Sequence, residues 1–428
     1  MASVIQREYT HCRVCNHHPL EQIYALGELC VSDFIDDQNK RNSSQKSPEK
    51  VPLTLVLCNQ SQGGCGLLQL KHTVFHEIMY RNYWYRSGMN KTMTEELRGI
   101  AAKMQSLMTL SPGDHLIDIG ANDGTLLRGY TVPGVKTVGF EPAHNLLQYA
   151  QVGTTHIIND FFNYSAWKKS FGKTRAKGIS AIAMFYDLDN PNTFVADAAQ
   201  CLDAEGVFII QMSYLPSMLS QNAFDNICHE HLEYYSLLSL ENLLKRHNLE
   251  VFDVELNDIN GGSFRVYIKH CGAAIAHTLA GASQRIQDMR DSEMKLGLDQ
   301  RGVYDAFFTR VQEIKEKVYT FITREVGRGK KVYMYGASTK GNTLLQFFNL
   351  DHHLITAAAE RNPDKWGKKT VGTMIPIISE EQARTEKPDY FLILPWHFLK
   401  EFQEREKEFL ERGGRFIVPL PEFNVVAA

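Results

Sequence analysis

The sequence predicts an α/β protein in which a cysteine-rich module precedes two α/β units. Three observations carry that expectation. Short apolar stretches alternate with helix-length segments through most of the chain, the pattern of a parallel sheet with crossover helices. One of them, Leu116-Ile117-Asp118-Ile119, runs straight into Gly120-Ala121-Asn122-Asp123-Gly124, the kind of strand-to-turn junction where such sheets hold a ligand. And five of the eight cysteines, Cys12, Cys15, Cys30, Cys58 and Cys65, come before residue 66. A length of 428 residues exceeds what one core usually organises, so two or three domains are expected.

Residues 1–75 form the cysteine-rich module. Its polar run Lys40-Arg41-Asn42-Ser43-Ser44-Gln45-Lys46-Ser47-Pro48-Glu49-Lys50 reads as a solvated loop, and Val51 to Leu57 as a strand leading into Cys58. Cys12-Arg13-Val14-Cys15 is a Cys-x2-Cys knuckle whose turn brings two thiolates to one ion. Cys58 and Cys65 can complete a tetrahedral Zn²⁺ site, and Gly63-Gly64 allow the looping their wide spacing demands. Four protein ligands leave no open position, so the zinc is expected to be structural. The alternatives are buried free thiols, or a site that uses Cys30, His17 or His18 instead.

Residues 76–270 form the first α/β unit. A helix is expected over Met93 to Met108, then strands at Leu116–Ile119, Thr137–Phe140, Ile179–Phe185 and Val207–Gln211. Asp118 to Gly124 has the form Asp-x-Gly-x-x-x-Gly, and glycines there let the backbone pass close to a ligand. Glu141 ends the second strand, where a carboxylate can accept ribose hydroxyl protons, and Asp160-Phe161 could meet an adenine edge and face. The candidate cofactor residues are therefore Asp118, Gly120, Asn122, Asp123, Gly124, Glu141, Asp160 and Phe161. The pattern resembles class I S-adenosylmethionine-dependent methyltransferases more than NAD enzymes, since Gly-x-Gly-x-x-Gly is absent.

Beyond the fifth strand position lies Phe224-Asp225-Asn226-Ile227-Cys228-His229-Glu230-His231. Two imidazoles and a carboxylate next to a cofactor turn suit general acid–base catalysis. A metal site and a structural hydrogen-bond network are the competing readings. The first suffers because adjacent residues rarely share one face.

Residues 271–428 comprise a charged helical connector, Gly281 to Glu325, and a second α/β unit. Its strands are expected at Lys331–Tyr335, Ile355–Ala359, Tyr390–Leu394 and Arg415–Val418. Gly336-Ala337-Ser338-Thr339-Lys340-Gly341-Asn342 sits between a strand and a helix. Helix amides, the Ser338 and Thr339 hydroxyls and the Lys340 ammonium can hold a pyrophosphate there. A generic capped helix start is the plainer reading. The spacing is not that of a P-loop.

Composition narrows the function. A formal net charge of −3 argues against a protein that neutralises phosphates along nucleic acid, no apolar run is long enough to span a bilayer, and the start lacks signal-peptide regions. A cytoplasmic enzyme is expected.

With these motifs in hand, the chain resembles the sugar-nucleotide C-methyltransferases that methylate C3 of 4-keto deoxysugars. The resemblance runs through the cysteine module, Asp118 to Gly124, His229-Glu230-His231 and Asn260-Gly261-Gly262-Ser263-Phe264-Arg265. It continues through Tyr335 to Thr343, Glu360-Arg361-Asn362-Pro363 and Leu394-Pro395-Trp396-His397-Phe398. It implies a class I methyltransferase Rossmann-like domain flanked by a zinc-binding domain and a C-terminal Rossmann-like domain, with the sugar nucleotide (dTDP- or GDP-linked) between the last two. His231 would be the general base, oriented by Glu230. Tyr186, His229 or one of Tyr83 and Tyr85, in a segment matching one that closes over the sugar, would stabilise the developing oxyanion. The substrate would meet Cys228, Asn260, Ser263, Arg265, Ser338, Thr339, Lys340, Asn342, Glu360 and Arg361. Cys228 and Tyr186 stand where the family pattern has tyrosine and histidine, and Cys58-x6-Cys65 is longer than its usual second knuckle. Two rival functions are a zinc-bearing RNA methyltransferase and a non-catalytic sugar-nucleotide-binding protein; intact Asp118, Gly120, Gly124 and Glu141 count against the second.

Overall fold

Helix Lys91–Leu107 opens the central unit because the Asn90 side chain caps it, accepting the Met93 N–H at 3.1 Å. Met93, Leu97, Ile100, Ala101, Met104 and Leu107 then fall on one buried stripe. The computed structural model describes residues 5–36, 50–277 and 279–428, with the backbone alone for Ile5 and Gln6. Of the expected solvated loop Lys40 to Lys50, all but Lys50 lies outside these described residues, and Lys50 begins strand Lys50–Leu57.

The stripe packs on a seven-stranded sheet. From edge to edge its strands are Leu249–Asn257, Ser263–His270, Leu202–Ser213, Ala176–Ile182, His115–Ile119, Lys136–Phe140 and His156–Ile158. The last five are parallel, and Ser263–His270 runs antiparallel between its two neighbours. Strand order reverses between His115–Ile119 and Ala176–Ile182, so the carboxyl ends of these strands frame a crevice. The expected strand over Ile179–Phe185 stops at Ile182, because Ala183 takes a left-handed φ of 54° and Phe185–Asp187 coils into a tight turn.

The connector is two helices, Ala282–Leu296 and Arg301–Gly327, separated where Gly297 caps the first with φ 70°. The second buries Tyr304, Phe307, Val311, Ile314, Val318 and Ile322. That stripe joins one core with a six-stranded sheet ordered Ile377–Ser379, Ala358–Glu360, Val332–Tyr335, Tyr390–Ile393, Arg415–Val418 and Asn424–Val426. All its pairings are parallel except the last. The strand expected at Ile355–Ala359 begins at Ala358, since Ile355 donates its N–H to Asp351 O in a turn.

In the N-terminal module, strands Glu21–Cys30, Lys50–Leu57 and Leu68–Leu70 form an antiparallel sheet whose fourth strand, Glu233–Tyr234, comes from the central unit. Among the described residues, no helix is long and apolar enough to cross a membrane.

Candidate active site

The parallel strands of the central sheet deliver their carboxyl ends to one place. His115–Ile119 ends in Gly120, φ 71°, and the turn continues through Asn122 and Gly124, φ 53° and 79°. Glu141 closes that turn: its carboxylate accepts the Asn122 and Ala143 N–H groups, each at 2.7 Å. Asp118 lies beneath, accepting the Ser180 hydroxyl at 2.7 Å. Burial pushes both acids up to about 7. Among the described residues no cation pairs with either one. Asp160 is exposed and pairs with Arg81 at 3.1 Å, whose guanidinium lies 4.7 Å over the Phe161 ring.

Asn122 and Asp123 do something the sequence did not suggest. The Asn122 side chain accepts Ser87 N–H and donates to Tyr85 O, each at 3.0 Å, and Asp123 accepts Gly88 N–H at 2.8 Å. The turn thus holds the Tyr83-to-Gly88 segment across the crevice. The same segment reaches both other parts of the chain. Trp84 donates to Asp33 at 3.0 Å, and its carbonyl accepts from Asn362 at 3.2 Å. Within it Tyr83 is half-buried, 6.0 Å from the Tyr80 ring, while Tyr85 is 44% exposed.

Cys228, His229, Glu230 and His231 are all buried, yet they face different ways. His229 turns its Nε2 to Val51 O at 3.1 Å, into the N-terminal module, and burial lowers it to about 4. His231 lies on the Tyr186 ring, centroids 4.3 Å apart. Its Nδ1 is 2.7 Å from Asn226 O. A carbonyl only accepts, so Nδ1 carries the proton and Nε2 keeps a bare lone pair. Asn226 therefore fills the orienting role expected of Glu230, which makes no hydrogen bond to His231 among the described residues. Burial first, then the charge of Lys340, holds His231 well below its ordinary value. Burial also pushes Cys228, Glu230 and Asp187 up, which favours their protonated forms.

The C-terminal unit closes the crevice. Lys340, in the first turn of helix Thr339–Phe348, donates to Asn226 Oδ1 at 2.7 Å. Trp396 donates to Asp225 at 3.3 Å and lies against the Asn260–Gly262 turn, where a Cβ on Gly261 would sit 2.7 Å from its ring. Buried polar atoms without partners gather in this region: Asp187 Oδ1, Asp225 Oδ1, Glu230 Oε2, Tyr234 Oη, His397 Nδ1 and both amide atoms of Asn342. A polar ligand or ordered water would satisfy them.

Other expected substrate residues are engaged elsewhere. Arg265 spends its guanidinium on Gln211 at 2.8 Å, Glu96 at 2.5 Å and Glu255 at 3.4 Å, tying the sheet to helix Lys91–Leu107. Ser263 donates to Ile259 O and Ser338 caps its own helix, accepting the Gly341 N–H. Of Thr339 it is the carbonyl that is engaged, accepting from Ser32 Oγ at 3.0 Å, and its side chain is not part of that contact. Glu360 accepts the Ala337 and Asn362 N–H groups, each at 2.8 Å, and Arg361 is exposed.

Cys12, Cys15, Cys58 and Cys65 bring their sulfurs within 4.8 Å of one another, with Cys12–Cys65 at 3.5 Å and Cys15–Cys58 at 3.4 Å. A zinc tetrahedron with bonds of about 2.3 Å has sulfur–sulfur edges of about 3.8 Å, so the donor set fits. Cys30, His17 and His18 lie outside the cluster. The knuckle is also tied to the reactive loop. Arg13 runs inward to Glu233, 3.7 Å away with both side chains fully buried, and donates to Gln69 and Thr73.

Comparison with known proteins adds an independent finding. Residues 85–254 match a family model described as a methyltransferase domain, and residues 258–421 one described as a C-methyltransferase C-terminal domain. C-methyltransferase NovU of Streptomyces niveus is 30% identical over 426 residues, covering 99% of this chain and 98% of its own length. Among solved structures, the chain is similar to the CcbJ methyltransferase from Streptomyces caelestis, with TM-score 0.33 and 13% identity over 41% of this chain and 90% of that one. An S-adenosylmethionine-dependent methyltransferase from Clostridium acetobutylicum gives TM-score 0.32 and 13% identity over 42% and 91%.

Proposed function

Because this chain belongs to the C-methyltransferase family, the open question is its acceptor, and we propose C3 of a nucleotide-linked 4-keto-6-deoxysugar, dTDP- or GDP-linked. The central sheet is a class I methyltransferase fold, which implies S-adenosylmethionine as donor. The observation that carries the proposal is His231. It is a buried imidazole with a bare Nε2, held by a carbonyl, in a crevice lined with unpartnered polar atoms.

A saturated carbon accepts a methyl group only after it loses a proton. A C4 ketone makes the C3 proton acidic, because the charge left behind moves onto the C4 oxygen. His231 Nε2 removes that proton. Tyr83 and Tyr186, which burial keeps protonated, are the donors for the C4 oxygen. Asp187 and Glu230 offer unpaired oxygens to the sugar hydroxyls. The first turn of helix Thr339–Phe348, with Thr339, the free amide of Asn342 and the remaining N–H donors of Lys340, receives the diphosphate. Glu141 and Asp118 hold the donor, which when bound supplies an electrophilic methyl group. Strand Lys50–Leu57 of the N-terminal module backs His229 through the Val51 carbonyl.

The test is product identity. Purified protein given methyl-¹³C S-adenosylmethionine and dTDP-4-keto-6-deoxyglucose, or its GDP counterpart, should return a nucleotide sugar one methylene heavier. Its labelled methyl should correlate with C3 in a carbon–proton spectrum. A methyl on oxygen, or turnover of neither sugar, contradicts the proposal.

A further inference from the structure

The contact between Lys340 and Asn226 joins two parts of the chain at the one residue that orients His231. We propose that Asn226 is a positioning residue and Lys340 its anchor. Lys340, from the C-terminal unit, holds the Asn226 side chain, and the Asn226 carbonyl in turn fixes His231 as the Nδ1–H tautomer with Nε2 free.

The geometry is a chain of short contacts. Lys340 Nζ donates to Asn226 Oδ1 at 2.7 Å, and Ser213 Oγ donates to the same oxygen at 3.1 Å. Asn226 Nδ2 donates to Ala223 O at 3.1 Å, so both ends of the amide are fixed. The peptide that carries the amide offers its carbonyl to His231 at 2.7 Å. Asn226 is buried at the end of a single tight turn, Phe224–Asn226, with a helix too short to hold it otherwise. Tethering the side chain is therefore the means of aiming the carbonyl.

The surroundings leave Lys340 as the charge that acts on this imidazole. The groups packed around His231 are the Tyr186 ring, and Tyr214, Glu233 and Tyr234 along one small cavity. Glu230 and Cys228 belong to its own loop. Burial pushes every acid in that set up, and Glu233 is met by the Arg13 guanidinium at 3.7 Å. Lys340, a cation on the Asn226 side of the imidazole, disfavours a protonated His231 and keeps the base ready. The role differs from phosphate anchoring, which needs the substrate to be present.

This inference deepens the reading of His231 as the base and can be tested apart from it. His231 is followed in the ligand-free protein by long-range nitrogen–proton spectra with ¹⁵N-histidine, its signals assigned by their loss in His231→Asn. Wild type should show the Nδ1–H tautomer. Removing the cation raises the pKa of the imidazole, so in Lys340→Met its midpoint should move up the pH scale. Asn226→Leu should give a mixture of tautomers, and Lys340→Arg should return the midpoint towards wild type. A phosphate anchor alone predicts a higher KM with His231 unmoved in both variants, and that result overturns the inference. Shifted midpoints with no C3 exchange in any keto sugar would uphold the positioning and overturn the acceptor instead.

Discussion

Glu141 closes the glycine turn and, in the proposed function, holds the donor; its substitutions separate the two. It closes the glycine turn through two backbone N–H groups, and at about 7 its pKa makes it sensitive near neutrality. Hydroxyl donors favour the ionised form. Donor affinity should therefore climb as pH rises towards about 7 and level off above it, with protons released on binding at pH near 6. Calorimetry in buffers of different ionisation enthalpy measures that release, and Glu141→Gln should abolish it. Glu141→Ala should weaken S-adenosylmethionine about ten- to a hundredfold. Arg265 calls for the opposite readout. Its guanidinium is committed to Glu96 and Glu255, so Arg265→Ala should lower stability by about 3 kcal/mol in a denaturant titration while KM for the sugar nucleotide stays put. A raised KM in a fully stable variant would return Arg265 to the substrate. The glycine turn after His115–Ile119 and the acid after Lys136–Phe140 were legible in the sequence, and Glu141 closes that turn. The partner of His231 was not, since it acts through a main-chain carbonyl, and nothing in the letter Asn marks where its carbonyl will point.

Two elements decide how the reactive loop is held. Strand Glu233–Tyr234 pairs with Leu68–Leu70, and His229 bonds Val51, so the loop is built into the sheet of the four-cysteine module. Elemental analysis should give about one zinc per chain, and a strong chelator should lower the melting temperature and activity together. Activity retained without the metal would show that the module does not brace the loop. The second element is the Asn260–Gly262 turn. Gly261 has φ 81° and its Cβ would meet the Trp396 ring at 2.7 Å, so Gly261→Ala should destabilise the closed crevice. Its signature is a fall in kcat with zinc content unchanged. Strands with strong apolar runs could be read directly, and Arg415–Val418 forms as expected. The short strand His156–Ile158 and the polar-interrupted Leu249–Asn257 lacked that signal, because pairing with neighbours supplies what their composition does not.

At the scale of the molecule, two sheets of similar order meet over one crevice, and a small difference sorts their roles. Glu360 repeats the wiring of Glu141: each acid ends a second strand and accepts N–H groups from the glycine turn and from two residues further on. But Lys365 reaches Glu360 at 3.4 Å and the Ala337 carbonyl at 2.7 Å, so in the C-terminal unit a side chain already supplies the cation. Among the described residues no such cation meets Asp118 or Glu141 in the central sheet, which supports placing the proposed donor there. The alternation of strands and helices was enough to foresee both units. Their docking was not legible, since it rests on contacts far apart in sequence, such as Lys340 with Asn226 and Trp396 with Asp225. The claim that this docked crevice makes a carbanion equivalent at C3 is tested most directly by hydrogen exchange. With S-adenosylhomocysteine in place of the donor, and dTDP- or GDP-4-keto-6-deoxysugar in D₂O, wild type should exchange the C3 hydrogen for deuterium. His231→Asn should bind both ligands and lose the exchange by about a hundredfold or more. Exchange at the wild-type rate in His231→Asn would show that another group is the base.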